Sequence, residues 1–314
     1  MKKLLFVLML LALPIGLASC EGADGEEEGF DLSSDIVVYT RDTTSGTRDG
    51  FMSGIDFKDA TTDDSLLAEG FVIKDNTGIM TSMTVDEYGI GYVSLSSVND
   101  TIKAMHFEGV EPSEENVMND SYGLKRPFNW LLRDEGDYPS DEVEELVLAF
   151  KAFLGTTDAA DIINNAGAIG LNATETWDDI KEDHPITEED NSEITVRFGG
   201  SDSIQKVAEA LTSAFTAKAG NFVAEHDHTG SGDAYKRTRE EEVDSSIAKD
   251  IGFASRPLKE HELEGVEEAE HGQLAWDAIV VIVHVDNPIS DMTADTLKKI
   301  YDGTYATWED VPSE

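Results

Sequence analysis

The sequence predicts an α/β protein. Short β-branched or apolar runs alternate with stretches whose apolar residues recur at helical spacing. Gly- and Ser-rich turns join the two kinds of segment. With 314 residues and 40% hydrophobic content, the chain can bury two lobes or one large domain.

Ile36 to Tyr39 is a β-branched run that reads as a buried strand, and Gly89 to Leu95 and Thr101 to Phe107 read as two more. Ser140 can cap a helix whose first turn holds Asp141 and Glu142. Leu146, Val147, Phe150 and Phe153 follow at helical spacing. Thr157 to Asn165 is a second helix, and the polar stretch Leu171 to Ser192 reads as a surface connection. Glu193 to Phe198 is a strand that turns through Gly199-Gly200-Ser201 into a helix with Ile204, Val207, Leu211 and Phe215 on one face. Phe222 to Glu225 is a short strand. Ile279 to Val285 is the most hydrophobic strand and should be central, and Thr293 to Tyr301 is a capped helix. This alternation favours mainly parallel sheets.

The amino end reads as a targeting segment. Lys2 and Lys3 precede the apolar run Leu4 to Leu17, and Leu17-Ala18-Ser19-Cys20 matches the bacterial lipobox, in which the cysteine after the cut is lipidated. Residues 1–19 are thus a lipoprotein signal peptide, Cys20 the palmitate-bearing anchor, and 20–34 an acidic tether. Cys20 is the only cysteine, which excludes a disulfide, a thiolate metal cluster and a catalytic cysteine. Lys and Arg total 23 against 65 Asp and Glu, a formal charge of −42. That excess argues against nucleic acid and against docking of the protein surface on anionic lipid. It serves solubility, or alternatively life in a saline medium.

Three junctions carry the chemistry: Thr43-Thr44-Ser45-Gly46-Thr47, Gly199-Gly200-Ser201-Asp202-Ser203 and Thr229-Gly230-Ser231-Gly232. Glycine lets backbone approach a ligand, hydroxyls donate hydrogen bonds, and a helix start offers free N–H groups and positive partial charge. Converging junctions of this kind can hold an oxyanion in a protein that is acidic overall. A single one is more often only a helix cap. No P-loop and no G-x-S-x-G elbow is present. His226-Asp227-His228 lacks an evident third metal ligand and reads as exposed polar residues before a turn. No catalytic residue, metal or cofactor is expected.

Val38-Tyr39-Thr40-Arg41-Asp42-Thr43-Thr44-Ser45-Gly46-Thr47-Arg48 resembles the Ser-Arg-x-Asp-Gly-Ser-Gly-Thr-Arg signature of Pst-type phosphate-binding proteins. Ile90 to Leu95, Gly109 to Val117, Ser121 to Pro127, Ile251 to Arg256 and Val280 to Val311 are similar to further segments of that family. The order differs: the part like Ile194 to Val311 comes first in the family, so this chain looks circularly permuted. The resemblance implies a type II periplasmic-binding-protein-like fold, two α/β lobes about a hinge. One lobe would be 35–122 plus 286–314, the other 123–285.

Carried over residue by residue, it implies that Arg41, Ser45, Gly46, Thr47, Ser203, Ser231 and Ser255 bind phosphate. Arg48 and Arg256 are read as ion-pair residues. Thr43-Thr44 stands where the family has Asp-Gly, and Asp202 where it has a small hydroxyl residue. Asp202 is the candidate acceptor for the proton of monohydrogen phosphate, with Asp42 and Asp233 as runners-up, and a helix cap as the alternative. The function implied is a monomeric solute-binding lipoprotein that hands inorganic phosphate to the permease and ATPase subunits of an ABC transporter. Sulfate, tungstate or molybdate binding, or a surface phosphate sensor without transport, are the alternatives.

Overall fold

The computed structural model describes residues 29–312. The signal peptide, Cys20 and the tether as far as residue 28 lie outside the described residues.

The chain runs β1 (Val37–Thr40), α1 (Gly46–Gly54), β2 (Val72–Ile73), α2 (Asn76–Met83), β3 (Gly89–Ser94), β4 (Lys103–Ala104), β5 (His106–Phe107) and α3 (Glu114–Met118). It continues through β6 (Lys125–Leu132), α4 (Asp141–Leu154), α5 (Thr157–Asn165), β7 (Ile169–Gly170), α6 (Trp177–Ile180), β8 (Thr195–Gly200) and α7 (Gln205–Thr216). It ends with β9 (Val223–His228), α8 (Ser231–Arg239), β10 (Ile251–Ala254), β11 (His271–Val283), β12 (Asp291–Met292) and α9 (Ala294–Tyr301). Among the described residues, no helix is long and apolar enough to cross a membrane.

The main sheet has the order β2-β1-β3-β11-β6-β10-β8-β9. Its flanks are parallel: β1 pairs β2 and β3, and β8 pairs β9 and β10. Its centre is antiparallel, because β11 pairs β3 and β6, and β6 pairs β10. The expectation of mainly parallel sheets is therefore corrected to a mixed sheet. Helical crossovers build the flanks, while long strands running between the two halves build the middle.

Two main cores lie along this sheet. One gathers Phe51, Tyr92, Ile279, Val281, Leu297 and Trp308 around α1 and α9. The other gathers Phe150, Phe153, Phe198, Leu211 and Phe215 from α4, β8 and α7. A smaller cluster of Tyr39, Ile79, Val93, Val280 and Ile282 covers the opposite face of the first half. The alternation along β11 follows from the two-residue period of a strand: Ile279 and Val281 face one cluster, Val280 and Ile282 the other. The helices form for local reasons as well. Ser140 Oγ accepts from Val143 N, and the first turn of α4 carries Asp141, Glu142 and Glu144 against the helix dipole.

The polar stretch 171–192 is more than a surface connection, since it forms α6 and sends Trp177 and Ile186 into the second core. Leu124 belongs to the first core and Phe128 to the second; Ala275 belongs to the second and Ala278 to the first, so the chain passes between the cores within β6 and β11.

Candidate functional site

β1 ends at Thr40 and delivers Arg41, and Ser45 then caps α1 by accepting from Thr47 N and Arg48 N. β8 ends at Gly200, whose φ of 103° is one that side chains avoid, and a Cβ there would meet Phe253 O at 2.3 Å. That turn presents Ser201, Asp202 and Ser203. β9 leads through Gly230 to Ser231, the first residue of α8, and β10 leads to Ser255. All three junctions singled out in the sequence therefore open onto one place.

The side chains meet there as a buried hydroxyl cluster. Thr47 Oγ1 lies 2.6 Å from Ser203 Oγ, Ser201 Oγ donates to Ser255 Oγ at 2.8 Å, and Ser231 Oγ lies 3.2 Å from Ser255 Oγ. Ser255 N donates to Ser231 Oγ at 2.9 Å. Arg41, fully buried, donates through Nη1 to Thr47 Oγ1 at 3.3 Å and to Ser203 Oγ at 3.5 Å, and its Nε is buried with no partner. The starts of α1 and α8 abut so closely that a Cβ on Gly46 would lie 2.2 Å from Ser231 Oγ. Two positive helix ends facing each other repel unless negative charge lies between them.

Asp202 accepts from Arg41 Nη2 with both oxygens, and from Asn76 N at 3.3 Å. It does not cap its own helix, α7; its carboxylate reaches instead to the first N–H of α2. Of the runners-up, Asp42 is used inside its own turn by Thr44 N, and Asp233 by Thr229 Oγ1 and Arg237. Arg48 donates to Ala60 O and Arg41 O and pairs with Asp64. Arg256 is held by both oxygens of Glu262. Thr43 and Thr44 are exposed, and Thr44 meets α8 through its carbonyl, which accepts from Gly232 N at 3.2 Å.

The reading of His226 and His228 as exposed is corrected. They stack between Phe198 and Phe253 and hydrogen-bond each other, Nδ1 to Nε2, at 3.0 Å. His228 Nδ1 lies 3.1 Å from Ser201 O, which can only accept. His228 therefore carries its proton on Nδ1, His226 does the same, and Thr212 donates to His226 Nε2 at 2.9 Å. Burial, followed by neighbouring His226, pushes His228 down to about 4. Among the described residues, no group of three or more metal-ligating side chains forms.

Arg126 was read only as part of a family-like stretch, yet its guanidinium enters the same cluster. Its Nη1 donates to Thr47 Oγ1 at 2.8 Å and to Ser255 Oγ at 3.3 Å, and its Nε donates to Asp277 Oδ2 at 2.9 Å. The signal available in the sequence was the resemblance of Ser121 to Pro127, which named no role for the arginine.

A cluster of hydroxyls gathered around buried guanidinium groups suits a small ligand made of oxygens. A family profile described as a PBP superfamily domain matches residues 185–314. The phosphate-binding protein PstS 2 of Streptococcus pneumoniae serotype 4 is 26% identical over 99% of both chains. The phosphate-binding protein PstS of Staphylococcus haemolyticus is 29% identical over 36% of each. The pneumococcal match runs in chain order from end to end, so this order of segments is shared with that relative. A crystal structure of a phosphate-binding protein of a phosphate ABC transporter from S. pneumoniae superposes with a TM-score of 0.63. It has 24% identity and covers 89% of this chain and 100% of its own, which establishes the common fold. These relatives are binding proteins, in line with capture rather than catalysis. The chain is thus similar over nearly its whole length to Pst-type phosphate-binding proteins, and its carboxyl-terminal part matches the PBP superfamily profile.

Proposed function

We propose that this chain captures inorganic phosphate between two lobes and presents it to an ABC transporter. One observation carries the reading: a buried cluster of hydroxyls, drawn from both cores, gathers around the Arg41 guanidinium, whose Nε has no partner. A phosphate brings four oxygens to these N–H and O–H groups and lies between the facing starts of α1 and α8. The lobes follow the two main cores, and the ligand favours the closed arrangement because only there do Thr47 and Ser203 reach it together. The Pst-type relatives support phosphate over other oxyanions, and the lipobox supports a lipid anchor at Cys20 on the outer face of the membrane. A permease and an ATPase are the partners this function requires.

Asp202 is the residue that reads the ligand's proton. A carboxylate at the edge of the cluster accepts from monohydrogen phosphate and repels sulfate, which carries no proton. The test is calorimetric titration of the chain carrying Cys20→Ser with phosphate, sulfate and molybdate. Micromolar phosphate binding with weak sulfate binding is expected. Binding of sulfate or molybdate in preference would replace the ligand, and binding of none would end the capture reading. Asp202→Asn should bring phosphate and sulfate closer together; an unchanged ratio removes Asp202 from the selectivity.

A further inference from the structure

Arg126 and Asp277 stand at one level of the molecule. They face each other across β6 and β11, in register. Leu124 before Arg126 packs in the first core and Phe128 after it in the second; Ala275 before Asp277 packs in the second core and Ala278 after it in the first. The pair therefore lies where both strands pass from one core to the other. Arg126 is 3% exposed and Asp277 is fully buried.

Asp277 is fixed from several sides. Arg126 Nε donates to Oδ2, Arg126 Nη2 lies 2.8 Å from the same oxygen, and Ser94 Oγ donates to Oδ1 at 2.9 Å. Nη2 has no well-directed hydrogen-bond partner despite that contact. Held this way along one edge, the guanidinium turns Nη1 outward to Thr47 Oγ1 from the first core and Ser255 Oγ from the second. Nη1 of Arg41 ends on that same Thr47 oxygen, at 3.3 Å. Two buried guanidiniums thus converge on one neutral hydroxyl oxygen. Burial, and then the charge of Arg41 working against the pull of Asp277, hold Arg126 below its ordinary value. An anion between the two cations relieves that repulsion, and a hydroxyl cannot.

We infer that Arg126 is a second anion-holding arginine of this site, supplied by the strands that join the cores, with Asp277 as its positioning residue. This rests on the oxyanion reading of the same cluster and extends it. The ligand would then be held from three directions, the third being the connection itself. An anion bound to Nη1 draws on strands shared by both cores, so its capture bears directly on the relation between them.

Phosphate titration of the wild-type chain, Arg126→Lys and Asp277→Glu tests this. Arg126→Lys keeps the charge and the partner but loses the fork, and should weaken phosphate about 10- to 100-fold. Asp277→Glu keeps the charge and displaces the fork, and should weaken phosphate while the thermal midpoint moves little. An unchanged Kd in Arg126→Lys overturns the role of Arg126, and an unchanged Kd in Asp277→Glu overturns the positioning role of Asp277. If the variants fold poorly, guanidinium nitrogen NMR of the wild type decides: phosphate should shift the Arg126 Nη1 signal more than its Nε signal, and an unmoved Nη1 rejects the proposal. A wild type that binds no phosphate, sulfate or molybdate rejects the oxyanion reading itself, an outcome distinct from wild-type binding that Arg126→Lys leaves intact.

Discussion

Arg126–Asp277 and Arg41–Asp202 are both guanidinium–carboxylate pairs, and both end in the same hydroxyl cluster, yet they are held differently. The first sits inside paired strands with its carboxylate fully buried and further bonded to Ser94. The second spans the two cores, and its carboxylate is 11% exposed and bonded otherwise only to Asn76 N. One pair is part of the frame. The other bridges the two cores, and its carboxylate occupies the arginine fork that an anion would take. A site can therefore hold two buried cations in an acidic protein by giving one a permanent counter-charge and the other a replaceable one.

Removing the permanent counter-charge should have the largest effect. Asp277→Asn leaves Arg126 buried without a full partner and should cost about 3–5 kcal/mol of stability, read by urea denaturation. A loss below about 1 kcal/mol would make the two pairs equivalent. Next is the close contact between the helix starts. Gly46→Ala places a methyl group 2.2 Å from Ser231 Oγ, and should weaken phosphate at least about tenfold while the isolated fold survives. Unchanged affinity would mean that the two starts do not need to meet.

The histidine pair gives a pH test on the Asp202 side of the cluster. His228 is depressed to about 4 in the fold against 6.5 for an ordinary histidine, so between these values the unfolded chain binds the proton and the folded chain does not. Stability from this group is complete above about 6.5 and falls as the pH drops toward about 4, by at most about 1.4 kcal/mol per pH unit. His228→Gln should flatten that part of a pH–stability curve, and a slope unchanged by the substitution would assign it elsewhere. The smallest effect belongs to the replaceable counter-charge. Asp202→Asn should cost about 1 kcal/mol without ligand, and saturating phosphate should recover most of it, since the anion takes over the Arg41 fork. A deficit that persists at saturation would place Asp202 in the frame.

Much of this was legible in the sequence. Helix α5 falls where Thr157 to Asn165 was read, and Ser140 and Thr293 cap α4 and α9 as their positions suggest. The three Gly- and Ser-rich junctions were readable because their composition matches what close backbone approach requires. Strand β6 was not. Pro127 inside it argues against a central strand, and Lys125, Arg126 and Asn129 interrupt its apolar pattern. β11 begins at His271, well before the hydrophobic run, because Gly272, Gln273 and Asp277 are polar or small where the strand crosses between cores. Helix α2 was hidden by the weak helix formers Asn76, Thr77 and Gly78, and depends on its Asp75 cap. Arg126 and Asp277 look like surface residues in one dimension, since the partners that satisfy their charges, each other included, are brought together only by the fold.

β11 is 13 residues long, with a shift of its register against β6 between Gln273 and Ala275 and one end packed in each core. A strand of that length spans about 40 Å, and it is hydrogen-bonded to β6 along 271–278 and to β3 along 279–283. A single strand shared in this way ties the two cores together. Protease nicks at exposed loops should therefore leave the halves associated, and changes in the opening angle should register as altered amide exchange along 271–283.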